Sequence, residues 1–325
     1  MSLFRNAIWF LKGMKEYTKG GYEAAAKKFN PADLDISISN RSFMITGANS
    51  GVGRCTALAI ARKGGIVHMV CRSKERGEEA LKDLQEKSGN MNIHLHLVDL
   101  SRPRAIKEFV EKFRNNGTPL NVLINNAGVL MSGDKRTLTE DGLETTFATN
   151  TLGVHILTTG LVPVLESSED PRVIIVTSGG MLVQKLNLSD LQFEKMTKFD
   201  GTMAYSQTKR QEVVMTAMYA KQYPKIHFST CHPGWADTAG VRSSLPDFHA
   251  KLKDRLRTEE QGADVMLWLA VSEAATKHPS GLFFQDREPV STHLPLAWTK
   301  SSASEDKKLM DILQEMSEKF YGSSL

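Results

Sequence analysis

The sequence contains few cysteines and no long apolar run. Cys55, Cys71 and Cys231 are far apart and form no C-x-x-C pair, so they indicate neither a disulfide framework nor a metal site, and no metal is predicted. A membrane-spanning helix needs about 18 consecutive apolar residues, and the first residues carry no cleavage pattern of a secretory signal. We therefore expect a protein of the cytoplasm, or of the cytoplasmic face of an intracellular membrane, that is neither secreted nor membrane-spanning.

An excess of charge of one sign is also absent. The 41 basic and 37 acidic residues leave a formal net charge of +4, and the basic residues are spread along the chain. This distribution lacks the basic patch of a nucleic-acid-binding protein, so no nucleic-acid partner is expected. The hydrophobic content of 41% and charged content of 24% are ordinary for a globular chain that can bury a sizeable core.

From about Arg41 onward, short β-branched apolar runs alternate with longer amphipathic stretches. Such alternation is typical of a parallel sheet that has helices on both faces. We predict an α/β fold: a single Rossmann-type, doubly wound domain over 41–290 with a seven-stranded parallel sheet, preceded by an amphipathic helical extension, 1–40, and followed by a C-terminal tail with a helix, 291–325. The seven runs that predict strands are 43–45, 66–70, 93–98, 122–124, 173–176, 226–228 and 282–284.

A glycine-rich turn, 46–53, follows the first apolar run and leads directly into an amphipathic stretch. A turn between strand and helix leaves free backbone N–H groups at the positive end of the helix, which suits a pyrophosphate. Gly47 permits the tight turn, Gly51 lets phosphates approach the backbone, and Gly53 lets helix and strand pack closely. The spacing G-x-x-x-G-x-G differs from the commoner G-x-G-x-x-G, and a plain tight turn is the alternative.

The end of the second apolar run bears on cofactor preference. Sites that bind NAD carry an acidic residue about 20 positions after the turn, where it contacts the ribose 2′-hydroxyl. Here that place has Arg72 and no carboxylate, and a guanidinium can pair with a 2′-phosphate. We therefore favour NADP(H) over NAD(H). Ser50, which stands where some NADP enzymes have a second basic residue, argues the other way, and Arg72 as a solvated loop residue is the alternative.

Tyr205 and Lys209 lie four residues apart in a helix-like segment, which places them on one helix face. A nearby ammonium lowers the pKa of a phenol from about 10 and makes it a usable general acid or base. Ser178 ends the fifth apolar run, at the sheet edge where ligands bind in parallel sheets. Asn150 lies inside a long helical pattern, where a polar side chain needs a partner. Its role is either to hold a water relay toward Lys209 or to make a structural hydrogen bond.

These motifs together resemble the short-chain dehydrogenase/reductase family, and the long stretch from Ser178 to Tyr205 is similar to its retinol dehydrogenase-like branch. The shared pattern is T-G-x-x-x-G-x-G, N-N-A-G, N-x-x-G, a serine at the end of a strand and Y-x-x-x-K, in that order from about 42 to 285. The resemblance implies an oxidoreductase that transfers a hydride between NADP(H) and an alcohol or carbonyl.

The resemblance also implies roles for individual residues. Tyr205 is expected to be the general acid and base, Lys209 to bind the nicotinamide ribose and lower the pKa of the tyrosine, Ser178 to orient the substrate, and Asn150 to hold a relay water. The expected cofactor-binding residues are Gly47, Asn49, Ser50, Gly51, Val52, Gly53, Arg72, Asp99, Asn125, Gly128, Tyr205, Lys209, Pro233, Trp235 and Thr238. Asp99 is expected at the adenine and Thr238 at the nicotinamide carboxamide.

The substrate and other partners are indicated more weakly. Apolar residues in the segment 240–257, which covers the substrate in related folds, favour a lipid-, retinoid- or steroid-like small molecule. Residues 3–19 form an apolar face flanked by bases, which predicts either peripheral membrane contact through residues 1–20 or packing on the same domain or on a second subunit of a homodimer. A dinucleotide-sensing regulatory protein, or a membrane-associated scaffold without turnover, is the alternative function.

Overall fold

A computed structural model describes residues 3–320 of the chain. The strands are β1 Ser42–Thr46, β2 Ile66–Cys71, β3 Ile93–Leu97, β4 Val122–Asn125, β5 Arg172–Val176, β6 His227–Cys231, β7 Leu282–Gln285 and β8 Glu288–Pro289. The helices are α1 Leu3–Glu16, α2 Lys19–Ala26, α3 Gly51–Arg62, α4 Lys74–Ser88, α5 Pro103–Asn115, α6 Thr145–Phe147, α7 Gly153–Glu166, α8 Gly201–Gln222, α9 Ala239–Ser244, α10 Pro246–Leu252, α11 Glu259–Val271, α12 Glu273–Thr276 and α13 Ala303–Glu318.

The strands form one sheet in the order β3-β2-β1-β4-β5-β6-β7-β8. The first seven strands run parallel, and β8 pairs antiparallel with β7. The predicted α/β fold is therefore confirmed, but the predicted count of seven strands is one too few. Asp286 and Arg287 join β7 to β8 with φ of 49° and 65°, the backbone of a tight hairpin that usually carries glycine or asparagine. Without that signal, and with only two residues in β8, the strand has no recognisable pattern.

The order of the sheet positions the functional site. The chain adds β2 and β3 on one side of β1, and then β4 and the later strands on the other side. The connections leave in opposite directions at β1 and β4, which opens a crevice at the carboxyl ends of these strands. Asn126, directly after β4, spans the junction because its side-chain Nδ2 donates to the Thr46 carbonyl at 2.8 Å.

Apolar packing covers both faces of the sheet. One buried cluster lies between the sheet and α5, α7 and α8, and a second lies between the sheet and α3, α4 and α11. The C-terminal helix α13 joins the first cluster through Leu309 and Leu313, which are fully buried. Within the described residues, 145–166 is a helical stretch long and apolar enough to cross a membrane, but 78% of its apolar window is buried inside the protein. That burial is typical of a core helix.

The N-terminal helix α1 packs against its own chain. Its Trp9 indole Nε1 donates to the Gly179 carbonyl at 2.8 Å, and Tyr17, directly after the helix, is fully buried in a third apolar cluster. Other apolar side chains of α1 face solvent, with Leu3 90% and Leu11 66% exposed. Of the predicted extensions, residues 1–2 and 321–325 lie outside the described residues, and the domain limits stay predictions.

Candidate active site

The glycine-rich turn has a backbone that requires glycine. Gly47 and Gly51 have φ of +67° and +58°, the left-handed region that side chains disfavour. A Cβ at Gly53 would lie 2.3 Å from Asn126 Nδ2 and 2.7 Å from the Gly47 carbonyl. The turn is thus held close to Asn126, and the N-terminus of α3 opens into the crevice.

A cleft of about 290 Å³ lies over this turn. The glycines of the turn and the first residues of α3 line it, and a helix N-terminus after a glycine-rich turn fits a dinucleotide diphosphate. Most of the predicted cofactor residues line it: Gly47, Asn49, Ser50, Gly51, Val52, Gly53, Arg72, Asp99, Gly128 and Thr238. Arg76, in the first turn of α4, also lines the cleft. It was missed because it follows the strand end by a full helical turn, where basic residues usually belong to a solvated helix face.

Asn125 lies away from this cleft. It is 2% exposed, and its Nδ2 donates to Thr158 Oγ1 at 3.0 Å. The following residues of the same motif, Asn126 to Gly128, line the cleft instead. Side chains of successive strand residues alternate in direction, so one residue of this pair faces the helices and the other faces the crevice.

The three predicted reacting groups meet at the carboxyl end of the sheet. The side chains of Ser178 and Tyr205 line the same pocket, and Lys209 Nζ lies 5.4 Å from the centre of the Tyr205 ring. Lys209 is 2% exposed, and its Nζ donates to the Val176 carbonyl at 2.9 Å. The four-residue spacing on α8 therefore places the ammonium beside the phenol.

Burial raises the pKa of the Tyr205 phenol, and the nearby Lys209 ammonium and the Ser178 hydroxyl oppose that rise. Lys209 lowers the pKa of Tyr205, as the sequence predicts. Burial raises this pKa by more, so the net shift is upward, and the predicted net decrease is wrong. The low dielectric around Tyr205 disfavours the phenolate, and the Lys209 ammonium, whose charge is partly neutralised by Glu212, does not offset this. The phenol is therefore kept protonated, ready to act as an acid.

Glu212 is a member of this group that sequence reasoning missed. Its carboxylate Oε1 accepts from Lys209 Nζ at 2.7 Å, and it is only 1% exposed. Burial raises its pKa to about 7, and its charge in turn raises the pKa of Tyr205. A glutamate three residues after a lysine is usually a surface ion pair, so the spacing alone gave no signal of a buried one.

Asn150 lies in a π-helical turn, Ala148–Leu152, between α6 and α7. Its Nδ2 donates to the Val129 carbonyl at 2.9 Å and to Thr208 Oγ1 at 3.1 Å, and its Oδ1 accepts from the Val129 N–H at 2.8 Å. The buried amide of Asn150 therefore has hydrogen-bond partners within the protein, in agreement with the structural role. The side chain also lies near Lys209, because both Lys209 Nζ and Asn150 Oδ1 come within 3.5 Å of the place that a Cβ on Gly128 would occupy.

A second pocket, of about 460 Å³, adjoins the cleft and shares Thr238 with it. Ser178, Tyr205 and Lys209 line its polar end. The predicted cofactor residues Pro233 and Trp235 lie in this pocket and not in the glycine-lined cleft. Its remaining wall is apolar and includes Trp9, Trp235, Leu130, Leu245 and Phe248. The segment expected to cover the substrate forms α9 and α10, and it supplies the last two of these side chains.

Known proteins resemble this chain in sequence. Residues 41–190 match the family model described as short chain dehydrogenase. The chain is 60% identical over 320 residues to Dehydrogenase/reductase SDR family member 12 of Homo sapiens, covering 98% of this chain and 100% of that protein. It is 32% identical over 256 residues to Retinol dehydrogenase 12 of Mus musculus, covering 78% of this chain and 79% of that protein.

A solved structure has the same fold. A short chain dehydrogenase from Escherichia coli CFT073, complexed with NADPH, superposes with a TM-score of 0.62 at 20% identity, covering 80% of this chain and 100% of that one. At this identity the likeness concerns the fold alone. The family of the chain follows instead from its sequence similarity to the human protein, which extends over nearly the whole length of both chains. The chain belongs to the short-chain dehydrogenase/reductase family and is an NAD(P)-dependent dehydrogenase/reductase.

Proposed function

We propose that the chain transfers a hydride between NADP(H) and an alcohol or carbonyl compound with an apolar body. The observation that carries the proposal is the meeting of Tyr205, Ser178 and Lys209 in one pocket, next to a cleft that fits a dinucleotide. The alternative, a dinucleotide-sensing regulatory or scaffold protein without turnover, gives no reason for a phenol, a hydroxyl and a buried ammonium to line one pocket.

The nicotinamide ring supplies or accepts the hydride when the cofactor is bound. In reduction, the hydroxyls of Ser178 and Tyr205 hydrogen-bond the carbonyl oxygen, and Tyr205 donates its proton to that oxygen as the carbonyl carbon gains the hydride. In oxidation, the phenolate of Tyr205 takes the proton from the alcohol. Ser178 holds the substrate oxygen in position, and the Lys209 ammonium stabilises the phenolate, which is otherwise disfavoured by burial.

We propose that Asn150 supports the return of a proton to Tyr205 through a water beside Lys209. Two observations support this role. The amide and Lys209 Nζ border the same point next to Gly128. The π-helical turn around Asn150 also displaces backbone hydrogen bonds from their α-helical partners, and such turns are frequent at functional sites.

The preference for NADP(H) is supported by charge. Two guanidinium groups, Arg72 and Arg76, line the cleft at the end of β2, where a 2′-phosphate would lie if the dinucleotide follows the glycine-rich turn. Arg76 supplies the second basic residue that Ser50 does not. Asp99 lines the same cleft, beyond the strand end, and is proposed to contact the adenine, while Thr238 is proposed to bind the carboxamide.

The apolar wall of the second pocket supports a lipid-, retinoid- or steroid-like substrate. The test is to incubate the protein with NADPH and a panel of aldehydes, ketones and retinoids. Reduction of each compound is measured as the loss of NADPH absorbance. We expect apolar carbonyls to be reduced, and Ser178→Ala to lower the rate about 100-fold, because one donor to the reacting oxygen is lost. Tight NADPH binding without reduction of any carbonyl in the panel would favour the regulatory alternative.

We also propose peripheral membrane contact through the exposed side of α1, where Leu3, Phe4, Phe10 and Leu11 face solvent. An apolar helix face flanked by bases favours an interfacial position, at the cytoplasmic face of an intracellular membrane. Flotation with anionic liposomes tests this, with the Leu3→Ser/Leu11→Ser variant as comparison. Equal flotation of the two proteins would dismiss the contact. Homodimer formation stays a prediction.

A further inference from the structure

Segment 9–18, which comprises the second half of α1 and the two residues after it, is attached to the active-site loops by a buried guanidinium. The Arg257 side chain is fully buried and forms an ion pair with Asp286, with Nη1 to Oδ1 at 2.6 Å. Its Nη2 donates to the Glu16 carbonyl at 2.6 Å, and its Nε donates to the Tyr17 carbonyl at 3.0 Å. A buried charge needs all of its hydrogen bonds. The segment therefore supplies acceptors that the rest of the chain requires.

The same segment contacts the loops that follow β5 and β6. The Trp235 backbone N–H donates to the Tyr17 carbonyl at 2.8 Å. Gly13 packs so closely on the Trp235 indole that a Cβ there would lie 2.3 Å from the ring. Trp9 binds the Gly179 carbonyl, one residue after Ser178. Segment 9–18 thus connects the loop that carries the proposed substrate-orienting serine to the loop beside the pocket.

Trp9 is also part of the pocket itself. It lines the same space as Tyr205 and meets Trp235 edge to face, with ring centroids 5.7 Å apart. Trp235 in turn meets Phe248 edge to face at 5.1 Å. Trp9, from the N-terminal helix, therefore forms one continuous aromatic wall with Trp235 and Phe248. The residues that match the family model begin at 41, so Trp9 comes from a segment outside that match.

We infer that Trp9 is a specificity-determining residue: segment 9–18 completes the substrate pocket, and the Trp9 indole selects carbonyl compounds whose apolar part extends away from the reacting group along the aromatic wall. This inference rests on the proposed function, because it concerns the substrate of the same site. The indole N–H is already used by the Gly179 carbonyl, so Trp9 presents an apolar surface to the ligand. A long apolar chain covers more of this surface than a short one does, so the contact with Trp9 favours the longer carbonyl compound.

The test uses two ketones, methyl octyl ketone and methyl ethyl ketone. They are compared in the unmodified chain and in three single-substitution variants. Trp9→Ala removes the wall, and Trp9→Phe keeps an aromatic ring but removes the bond to Gly179. Leu11→Ala is the matched control on the same helix, since Leu11 is 66% exposed and does not line the pocket. Calorimetric binding of methyl octyl ketone without cofactor gives a readout that is independent of turnover, and thermal unfolding reports on the fold of each variant.

We expect Trp9→Ala to raise the Kd for methyl octyl ketone about 10-fold or more, and to lower kcat/KM for this ketone relative to methyl ethyl ketone by a similar factor. Trp9→Phe should fall between Trp9→Ala and the unmodified chain, and remains informative if Trp9→Ala does not fold. Leu11→Ala should leave both quantities within about twofold, as expected for a surface substitution.

The outcomes separate this inference from the proposed function. Binding of methyl octyl ketone that depends on Trp9, without any NADPH oxidation, would retain the inference and refute the proposed reaction. Reduction of both ketones with a ratio that Trp9→Ala leaves unchanged would overturn the inference and retain the reaction. A similar loss in Leu11→Ala, or no binding of methyl octyl ketone by the unmodified chain, would also overturn the inference.

Discussion

Replacing Glu212 by glutamine isolates the charge balance around the proposed acid. The substitution keeps an oxygen acceptor for Lys209 but removes a negative charge that disfavours the Tyr205 phenolate. The phenol should therefore ionise more readily in Glu212→Gln. Above pH 7, where a carboxyl group with a pKa of about 7 is ionised in the unmodified chain, the difference between the two proteins should be largest.

The structure sets the size of this effect. Glu212 Oε1 lies 2.7 Å from Lys209 Nζ, which is 5.4 Å from the Tyr205 ring centroid, so the carboxylate oxygen is at most 8.1 Å from that centroid. With an effective dielectric constant of about 20, two unit charges at about 8 Å interact by roughly 2 kcal/mol. That energy corresponds to about a 30-fold increase in phenolate at a fixed pH.

The assay is alcohol oxidation as a function of pH, because this direction requires the phenolate. Between pH 7 and the pKa of the phenol, where Glu212 is ionised and Tyr205 is not, the rate of Glu212→Gln should exceed that of the unmodified chain by up to about 30-fold. The absorbance of tyrosinate, taken as a difference from Tyr205→Phe, gives the same comparison without turnover.

Glu212→Asp is the matched control, since it retains the carboxylate and should keep the profile close to that of the unmodified chain. Thermal unfolding must be measured alongside, because Lys209 is buried and loses its charged partner in Glu212→Gln. A profile of Glu212→Gln that is unchanged, or displaced to higher pH, would refute the reasoning.

Three further predictions concern the cofactor cleft and the core. Arg72→Ala and Arg76→Ala should each weaken NADPH binding about 10-fold and leave NADH binding unchanged in calorimetry, because each removes a charge-assisted contact to a 2′-phosphate. Gly53→Ala should abolish dinucleotide binding and lower the free energy of unfolding by about 1–3 kcal/mol, measured in urea, because its Cβ meets Asn126 and backbone. Burial lowers the pKa of His68 to about 3 from 6.5, so the unfolded chain binds its proton first. The contribution of His68 to stability is complete above pH 6.5 and should fall by about 2 kcal/mol at about pH 5, and His68→Gln should remove that part of the pH dependence.

Each of these has a result that would contradict it. Equal weakening of NADH and NADPH binding by the arginine substitutions would place both guanidinium groups away from a 2′-phosphate. A Gly53→Ala protein that binds NADPH normally would mean that the close packing of the turn on Asn126 is not required for dinucleotide binding. Urea unfolding of His68→Gln with the same pH dependence as the unmodified chain would assign the acid sensitivity to other groups.

Most of the fold could be predicted from local sequence patterns. The seven parallel strands follow from the apolar runs, and β2 and β3 begin at the first residues of the runs that predict them, 66–70 and 93–98. The strand β8 could not be found, because its turn residues, Asp286 and Arg287, adopt positive φ without the composition that usually marks it. Such a turn is imposed by tertiary contacts, here the ion pair of Asp286 with Arg257.

The candidate site was predictable where a motif fixes local geometry, and not where distant segments meet. The spacing of Tyr205 and Lys209 determines their shared helix face, but nothing local indicates that Glu212 is buried beside them. Nor does an amphipathic pattern say what its apolar face contacts. The contact of Trp9 with Gly179 joins residues 170 positions apart, and only the folded chain brings them together.

Transfer of the proton by Tyr205 is tested by measuring NADPH affinity and single-turnover carbonyl reduction in Tyr205→Phe. We expect an NADPH Kd within about twofold of that of the unmodified chain, together with a rate of reduction at least about 100-fold lower, the usual contribution of a general acid. A Tyr205→Phe protein that reduces the same carbonyl compound at the rate of the unmodified chain would show that Tyr205 does not transfer the proton.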